Sequence, residues 1–345
     1  EAFKGDELDW WEENVARRWA TGDDFPAVND GRGRKELFAE RYRSTGIMVG
    51  FVPNLRLKKF SDERVRAALN YCFDFEELNR TLFYGQYERI NSFFYGTELA
   101  SSGLPEGKEL DVLNSVKDKV PADVFTTAYA NPVGGDPEKL RANLRKALTL
   151  LTDAGYRLDG NRLVDADGQQ LSFEILLNGP TIEPIALSFQ QNLEKIGIAT
   201  SIRTVDSSQY INRVRSRDFD MIYTGWVQST SPGNEQRDFW GSGAASEENS
   251  RNYAGIADPG VDALIDKLIY APDRETLVAT THALDRVLLA HHFVVPTYTL
   301  RASRVARWDR FSHPQALPEY AIGFPSIWWW DKDKADKTGL PKSGG

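Results

Sequence analysis

The sequence predicts an α/β protein organised in two domains. From Leu171 onward, short segments with the alternation of a β-strand follow longer segments with helical periodicity, which is the pattern of helices packed on a sheet. The chain has 345 residues, and domains of about 150 residues are typical, so two domains are expected. Its content of 41% hydrophobic and 27% charged residues is that of an ordinary globular protein.

The first well-defined elements are a strand and the helix that follows it. The apolar run Ile47–Asn54 ends at a Pro–Asn pair and is typical of a strand. Ser61 is predicted to cap the next helix, because acidic residues follow it and Val65, Leu69 and Cys72 recur at helical spacing. Residues 1–19 are predicted to contain a helix end, a turn at Gly5 and an aromatic-rich stretch.

A second helix is predicted from Asp136–Pro137 to Gly155, since Asp is a good cap and Pro is favoured at the first helical position. Turns at Asp159–Gly160 and Asp167–Gly168 then separate short strands, and the alternating run Leu171–Leu177 is a further strand.

The remaining elements alternate along the chain. They are, in order, a helix over 182–196, a strand over 199–205, a helix over 206–216, a strand over 219–226, a long polar loop over 227–255, helices over 258–270 and 273–291, and a strand over 293–300. The long loop is rich in Gly, Ser and Asn, and unstructured loops of that length are commonly functional or mobile.

Composition argues against several classes of protein. Forty-two basic and 50 acidic residues give a net charge of −8, which disfavours a nucleic-acid binder. No run reaches the 18 or so apolar residues of a membrane-spanning helix. The single cysteine, Cys72, allows neither an internal disulfide nor a Cys-based metal cluster, and its place in an apolar stripe predicts a core residue.

The segments that resemble standard catalytic or metal-binding motifs are incomplete. Gly103–Lys108 is one residue too short for a P-loop, and Glu109 replaces the required Ser or Thr. Asp165–Gly168 lacks the later ligands of a calcium loop, and adjacent His291 and His292 would point in different directions. We therefore predict no enzymatic activity, no metal and no cofactor. Sequence cannot give the carboxylate separation of a glycosidase, so a hydrolase stays open as an alternative.

The strand that ends in Gly225–Trp226, together with the loop after it, is the best candidate for a binding site. An indole is followed by many neutral hydrogen-bonding side chains, and ligands of α/β proteins bind outside the carboxyl ends of strands. A Trp that caps the core is the alternative, and spacing does not decide between them. The predicted ligand-binding residues are Tyr223, Trp226, Gln228, Ser229, Asn234, Glu235, Arg237, Arg251 and Asn252.

Several segments carry a family resemblance. Lys59–Asp74 resembles the signature F-x-D-x-R-V-R-x-A-L-x-x-A-x-D, and Ile47–Asn54 resembles the strand that precedes this signature. Ala154–Gly168 resembles a hairpin with the pattern A-G-Y-x-x-D-G, and Phe219–Trp226 resembles a strand with the pattern D-x-x-x-x-G-W. These are features of family 5 extracellular solute-binding proteins, the oligopeptide- and dipeptide-binding components of ABC importers. Segments 232–237 and 250–256 resemble the branch that includes microcin C and galactoside importers.

The resemblance implies a type II periplasmic-binding-protein fold, in which two α/β lobes close over a ligand. Family members are longer, so this chain is expected to be a C-terminal portion without a signal peptide or the N-terminal lobe. The expected domains are a remnant of lobe I over 1–56, lobe II over 57–293 and a return segment to lobe I over 294–345. Trp328–Trp330 would pack in lobe I.

The function that the resemblance implies is capture of oligopeptides or peptide-like solutes in the periplasm, in a cleft between the lobes, and delivery to an ABC permease and its ATPase. Contact with the membrane would be through the permease alone. The alternatives are an oligosaccharide or galactoside importer component and, less favoured, a hydrolase of such ligands. Many peptide binders of the family carry an Asp that pairs with the peptide's α-amino group, and here Ser229 stands at or near that position. An uncharged ligand end is therefore expected, unless Glu235 substitutes.

Overall fold

The computed structural model describes residues 1–22, 25–39, 45–300 and 302–339. Its strands are β1 (Trp10–Glu12), β2 (Gly33–Ala39), β3 (Gly46–Pro53), β4 (Glu88–Arg89), β5 (Arg157–Asp159), β6 (Arg162–Val164), β7 (Ser172–Asn178), β8 (Ala199–Val205), β9 (Met221–Gln228), β10 (Val295–Pro296), β11 (Tyr298–Thr299), β12 (Ala302–Trp308), β13 (Phe311–Ser312) and β14 (Trp329–Trp330). Its α-helices are α1 (Pro26–Asn29), α2 (Lys58–Ser61), α3 (Glu63–Tyr71), α4 (Phe75–Thr81), α5 (Gly107–Asn114), α6 (Pro137–Asp153), α7 (Glu183–Lys195), α8 (Ser207–Arg215), α9 (Glu235–Trp240), α10 (Pro259–Ile269), α11 (Arg274–Ala290) and α12 (Lys332–Thr338).

The chain divides into two compact units. The first unit contains residues 1–44, 79–88 and 300–345, and the second contains 45–78 and 89–299. These borders differ from the predicted ones at 56–57 and 293–294, because β3 and β10 pair within the sheet of the second unit. The assignment of lobes to these segments stays a prediction.

The first unit is built on a three-stranded sheet in the order β1-β12-β2, with antiparallel pairing on both sides of β12. Trp10 lies 4.0 Å from the ring of Phe324 and packs edge-on against Trp328, which is buried. Trp329 and Trp330 are exposed. The helix end predicted before Gly5 is wrong, since residues 2–6 form turns, and the first helical segment lies later, at Arg18–Gly22.

The second unit contains a five-stranded sheet in the order β10-β3-β9-β7-β8. Strands β7, β8 and β9 are parallel, whereas β3 runs antiparallel to β9 from Gly46↔Gln228 to Pro53↔Met221. Helix α7 covers one face, where Phe189 stacks on Phe51 at 5.0 Å. Helices α8, α10 and α11 contribute to the apolar cluster that also holds Ile222 of β9.

Aspartate caps begin four of the helices as the sequence predicts. The side chains of Asp136, Asp206, Asp258 and Asp273 each accept hydrogen bonds from amides of the first turn of α6, α8, α10 and α11, respectively. The prediction for α3 is wrong by one residue: Asp62 caps it by accepting from the amide of Arg64, and Ser61 is the last residue of α2.

Two other predictions need correction. The loop over 227–255 is not irregular throughout, because it contains α9 and a short 3₁₀ turn, and Phe239 and Trp240 anchor it in the core. The strand predicted over 293–300 is broken into β10 and β11. Cys72 is buried as predicted, and burial raises the pKa of its thiol. Among the described residues, no helix has both the length and the apolar character needed to cross a bilayer.

Candidate functional site

The carboxyl ends of three parallel strands define one edge of the sheet in the second unit. Strands β7, β8 and β9 end there, at Asn178, Val205 and Gln228. The chain leaves β7 to form β8 on one side and then returns to form β9 on the other, so the direction of winding reverses beside β7. Such a reversal opens a crevice at the carboxyl ends of the strands, which is the usual ligand site of an open α/β sheet.

Strand β9 extends beyond the neighbour that it pairs with in parallel. Its pairing with β7 comprises Ile175↔Met221 and Leu176↔Ile222, whereas its pairing with β3 continues to Gln228. Within the described ranges, the segment after Tyr223 therefore pairs on one side only. The other side is an open strand edge.

The hydrogen bonds of β3 show which groups of β9 face this edge. The carbonyl of Val49 accepts from the N–H of Thr297 at 2.9 Å, on the side away from β9, and the N–H of Ile47 also donates away from β9. Val49 and Ile47 stand opposite Gly225 and Val227, so these two pairs exchange no backbone hydrogen bonds. The backbone N–H and C=O groups of Gly225 and Val227 consequently point to the open edge.

Glycine at 225 is required by the close approach of β3. A Cβ on Gly225 would lie 2.6 Å from the carbonyl oxygen of Met48 and 2.7 Å from Cγ2 of Val49. The same face carries Val227, which is 61% exposed, and half-buried Ile47. The open edge therefore presents backbone N–H and C=O groups, and the residues beside them are small or apolar.

Tyr223 stands where the internal pairing of β9 ends. Its ring packs edge-on against Phe51, and its hydroxyl lies 3.1 Å from Oγ1 of Thr297. Its carbonyl accepts a hydrogen bond of 2.9 Å from the hydroxyl of Tyr210, which projects from α8. Burial raises the pKa of Tyr210, so this hydroxyl stays a donor at neutral pH.

Trp226 lies in the core, and the expectation of an exposed indole is wrong. The side chain is 2% exposed, its ring centroid is 4.6 Å from that of Trp240, and its N–H donates to the carbonyl of Arg251 at 3.0 Å. Spacing could not decide this point, because the residue that covers the indole comes from α9, later in the loop. Trp226 therefore supports the site structurally, from within the core.

Four other predicted site residues form the scaffold of the loop. Gln228 is buried and accepts from Nε2 of Gln236, and Asn252 is buried with hydrogen bonds from both ends of its carboxamide to the surrounding backbone. The exposed side chains of Arg237 and Arg251 are paired with carboxylates of α10 and α9, at 2.6 and 2.8 Å. These contacts direct none of the four side chains towards the open edge of β9.

Three predicted residues follow the open edge in the loop. Ser229 is exposed directly after β9, and its hydroxyl accepts from the N–H of Ser231 at 3.2 Å. Asn234 is exposed immediately before α9. The carboxylate of Glu235 accepts from the N–H of Gly233 at 2.8 Å and so is engaged within its own loop.

Arg56 fastens the far end of the loop to the end of β3. Its guanidinium donates to the side-chain oxygen of Asn54 at 3.0 Å and to the carbonyls of Ala245, Asn252 and Tyr253. Burial, with a smaller effect of a neighbouring arginine, lowers the pKa of Arg56 to about 10, so it stays charged at neutral pH. The described part of the chain contains no cluster of three or more His, Cys, Asp or Glu side chains suited to a metal ion.

Sequence reasoning missed the backbone of Gly225 and Val227 and the hydroxyl of Tyr210. The first two act through groups that every residue carries, so they have no side-chain signature. A glycine inside a predicted strand was the available signal, since it marks a close backbone approach.

The fold defines the class of the protein: its mixed α/β structure is that of the type II periplasmic binding proteins. The structure is similar to that of the oligopeptide-binding protein AppA from Bacillus subtilis in complex with a nonapeptide, with a TM-score of 0.70 over 96% of this chain and 57% of that one. The sequences are 18% identical, so the likeness concerns the fold.

The chain belongs to the bacterial extracellular solute-binding proteins of family 5, because the family model described as "Bacterial extracellular solute-binding proteins, family 5 Middle" matches residues 1–248. It is 60% identical over 330 residues to the uncharacterized protein y4wM of Sinorhizobium fredii, which covers 95% of this chain and 50% of that protein. It is 55% identical to the probable peptide-binding protein YejA of Agrobacterium fabrum, over 96% of this chain and 54% of that protein. The chain thus spans about half the length of the curated relatives it matches. The family resemblance is confirmed, and the narrower resemblance to the microcin C and galactoside branch stays a prediction.

Proposed function

We propose that this chain is part of the substrate-binding component of a bacterial ABC importer, which captures peptides or peptide-like solutes in the periplasm and delivers them to a membrane permease driven by its ATPase. Family membership and the peptide-binding name of the YejA relative support this proposal. The chain itself would bind and release its ligand without chemical change.

The open edge of β9 is the observation that carries the proposal. An extended peptide presents N–H and C=O groups at the spacing of a strand, so it can pair with Gly225 and Val227 by strand addition. Backbone pairing does not depend on the ligand's side chains. This form of recognition suits a protein that takes peptides of varied sequence.

The burial of Trp226 weakens the case for a sugar ligand. The number of tryptophans allowed a glycoside, because indole faces stack on sugar rings, but the indole nearest the open edge is covered by Trp240. Ser229, the hydroxyl beside the edge, accepts a hydrogen bond from a backbone amide and is not activated by a His or carboxylate in the described contacts. A hydrolase has no support from this arrangement.

The ligand end near Ser229 is proposed to be uncharged. A carboxylate at this position would pair with an ammonium group, whereas Ser229 offers only a neutral hydroxyl. Glu235 is held by Gly233 and Gln236, so it is a poor substitute. We therefore favour N-blocked peptides or peptide conjugates.

The function is tested by removing the donor of Val227 that faces the ligand. Val227→Pro deletes an N–H that makes no bond to β3, and an extended edge position accepts proline. Val227→Ala keeps the N–H and is the matched control. An acetylated tripeptide amide is titrated into the ¹⁵N-labelled chain, and amide shifts are followed by NMR.

We expect wild type and Val227→Ala to bind with shifts centred on Gly225 and Val227, and Val227→Pro to bind at least fivefold more weakly, as for the loss of a hydrogen bond. Wild-type titration without shifts at these amides up to millimolar peptide would refute peptide capture at this edge. Equal binding by the proline variant would refute the backbone ladder.

A further inference from the structure

We propose that Tyr210 limits the peptide backbone that pairs on β9 to three residues. The proposal rests on the function above and adds a residue that determines specificity for ligand length. Tyr210 lies on α8, and its side chain is mostly buried in the core of the second unit.

The hydroxyl of Tyr210 makes the hydrogen bond to β9 that a further paired residue of β7 would otherwise make. The parallel pairing of β7 with β9 stops at Leu176↔Ile222, so the next carbonyl of β9 that points to the same side is that of Tyr223. The hydroxyl of Tyr210 donates to this carbonyl at 2.9 Å. The internal ladder is therefore closed by a side chain, and the open edge begins only after it.

Two residues of the edge remain for a ligand. Backbone groups of alternate residues share one side of a strand, so Gly225 and Val227 follow Tyr223 along the open side. In an antiparallel addition, one ligand residue exchanges two hydrogen bonds with Gly225, and the residue two positions away does the same with Val227. These two residues and the one between them make a ladder of three.

Longer pairing is prevented at each end of this edge. Towards Tyr223, a further ligand residue would need the carbonyl that Tyr210 already occupies, because the phenolic oxygen, 2.9 Å from that carbonyl, takes the place of the ligand's amide nitrogen. Towards Ser229, β9 ends at Gln228 and the chain turns into the loop. A longer peptide can bind, but its extra residues do not extend the ladder.

The test compares peptide lengths in three forms of the chain. Acetylated, amidated alanine-based peptides of two, three and five residues, the last extended at either end, are titrated by NMR. The forms are wild type, Tyr210→Phe, which removes the hydroxyl and keeps the ring, and Tyr210→Leu, which removes the hydroxyl and shortens the side chain.

In wild type, we expect affinity to rise from two to three residues and then stay within twofold. In Tyr210→Phe and Tyr210→Leu, the peptide extended towards Tyr223 gains about fivefold, as for one added hydrogen bond, and N-methylation of the residue facing Tyr223 abolishes the gain. Wild-type affinity that keeps rising towards five residues through that end, or no gain in a folded Tyr210→Leu, would overturn the role of Tyr210.

A second measurement needs no variant. On binding the five-residue peptide to the ¹³C-labelled wild type, the carbonyl shifts of Gly225 and Val227 should move, while that of Tyr223 stays in place. An equal movement at Tyr223 would overturn the proposal. If no peptide binds to wild type at all, the proposed function fails as well, and this outcome is distinct from binding without a length limit.

Discussion

The indole N–H of Trp226 donates to the backbone carbonyl of Arg251 at 3.0 Å and joins strand β9 to the end of the loop that follows it. The same ring packs against Trp240 and Tyr253. A buried side chain with both apolar contacts and a satisfied donor is a structural support. Its loss should be seen in stability.

Trp226→Ala should lower the free energy of unfolding by about 3–5 kcal/mol, because it leaves a large cavity and an unpaired carbonyl. Urea denaturation followed by circular dichroism measures the change. Tyr270→Ala is the control, since Tyr270 is 75% exposed and its truncation should cost less than about 0.5 kcal/mol. A loss below about 1 kcal/mol for Trp226→Ala would contradict the burial of the ring.

Amide hydrogen exchange should alternate along β9 in the absence of ligand. The N–H groups of Thr224 and Trp226 face β3 and should exchange slowly, whereas those of Gly225 and Val227 face the open edge and should exchange far faster. Exchange monitored by NMR gives the pattern residue by residue. Uniform protection from Thr224 to Val227 would show that the edge is covered.

A blocked N-terminus should favour binding. One peptide, compared with a free and a formylated N-terminus by calorimetry, should bind more tightly in the formylated form, because Ser229 provides no charge for an ammonium group. Ser229→Asp should shift the preference towards the free amine, and Ser229→Ala is its control. Tighter binding of the free amine by wild type would argue against an uncharged end, and Glu235→Gln would then show whether Glu235 is its partner.

Acidification should destabilise the fold through His292, which follows α11. Burial lowers the pKa of this imidazole to about 4, and its Nδ1 has no hydrogen-bond partner among the described residues. The unfolded chain has a His pKa near 6.5 and binds the proton first, so stability is full above about pH 6.5 and falls as the pH drops towards 4. The full loss from this residue is on the order of 3 kcal/mol.

His292→Asn should flatten this pH dependence without disturbing the backbone. The residue has a φ of +50°, a left-handed conformation that Asn tolerates well. Urea midpoints at pH 7, 6 and 5 compare the variant with wild type, and His313→Asn in the first unit serves as control. An unchanged pH slope in His292→Asn would exclude this imidazole as the source.

The elements of this protein that the sequence predicts well are those with a local physical cause. The caps Asp136, Asp206, Asp258 and Asp273 satisfy amides within one turn, so their signal lies in neighbouring residues. The family signature over 59–74 likewise lies within one continuous segment.

The sequence pointed to this strand end as the candidate site, but not to the backbone groups that face its open edge. The register of β3 on β9 decides which amides are open, and that register depends on residues about 180 positions apart. Whether Trp226 is exposed depends on Trp240 in the same way. Interactions of this kind are set by tertiary packing and leave no periodicity in the sequence.

The attachment of the loop by Arg56 has a thermodynamic consequence for ligand binding. Arg56 holds the carbonyls of Ala245, Asn252 and Tyr253, and β3 holds the paired side of the open edge, so both are ordered without a ligand. The conformational entropy lost at this edge on association therefore falls mainly on the peptide. Among peptides that make the same hydrogen bonds, those already extended in solution should bind with the smaller entropic penalty.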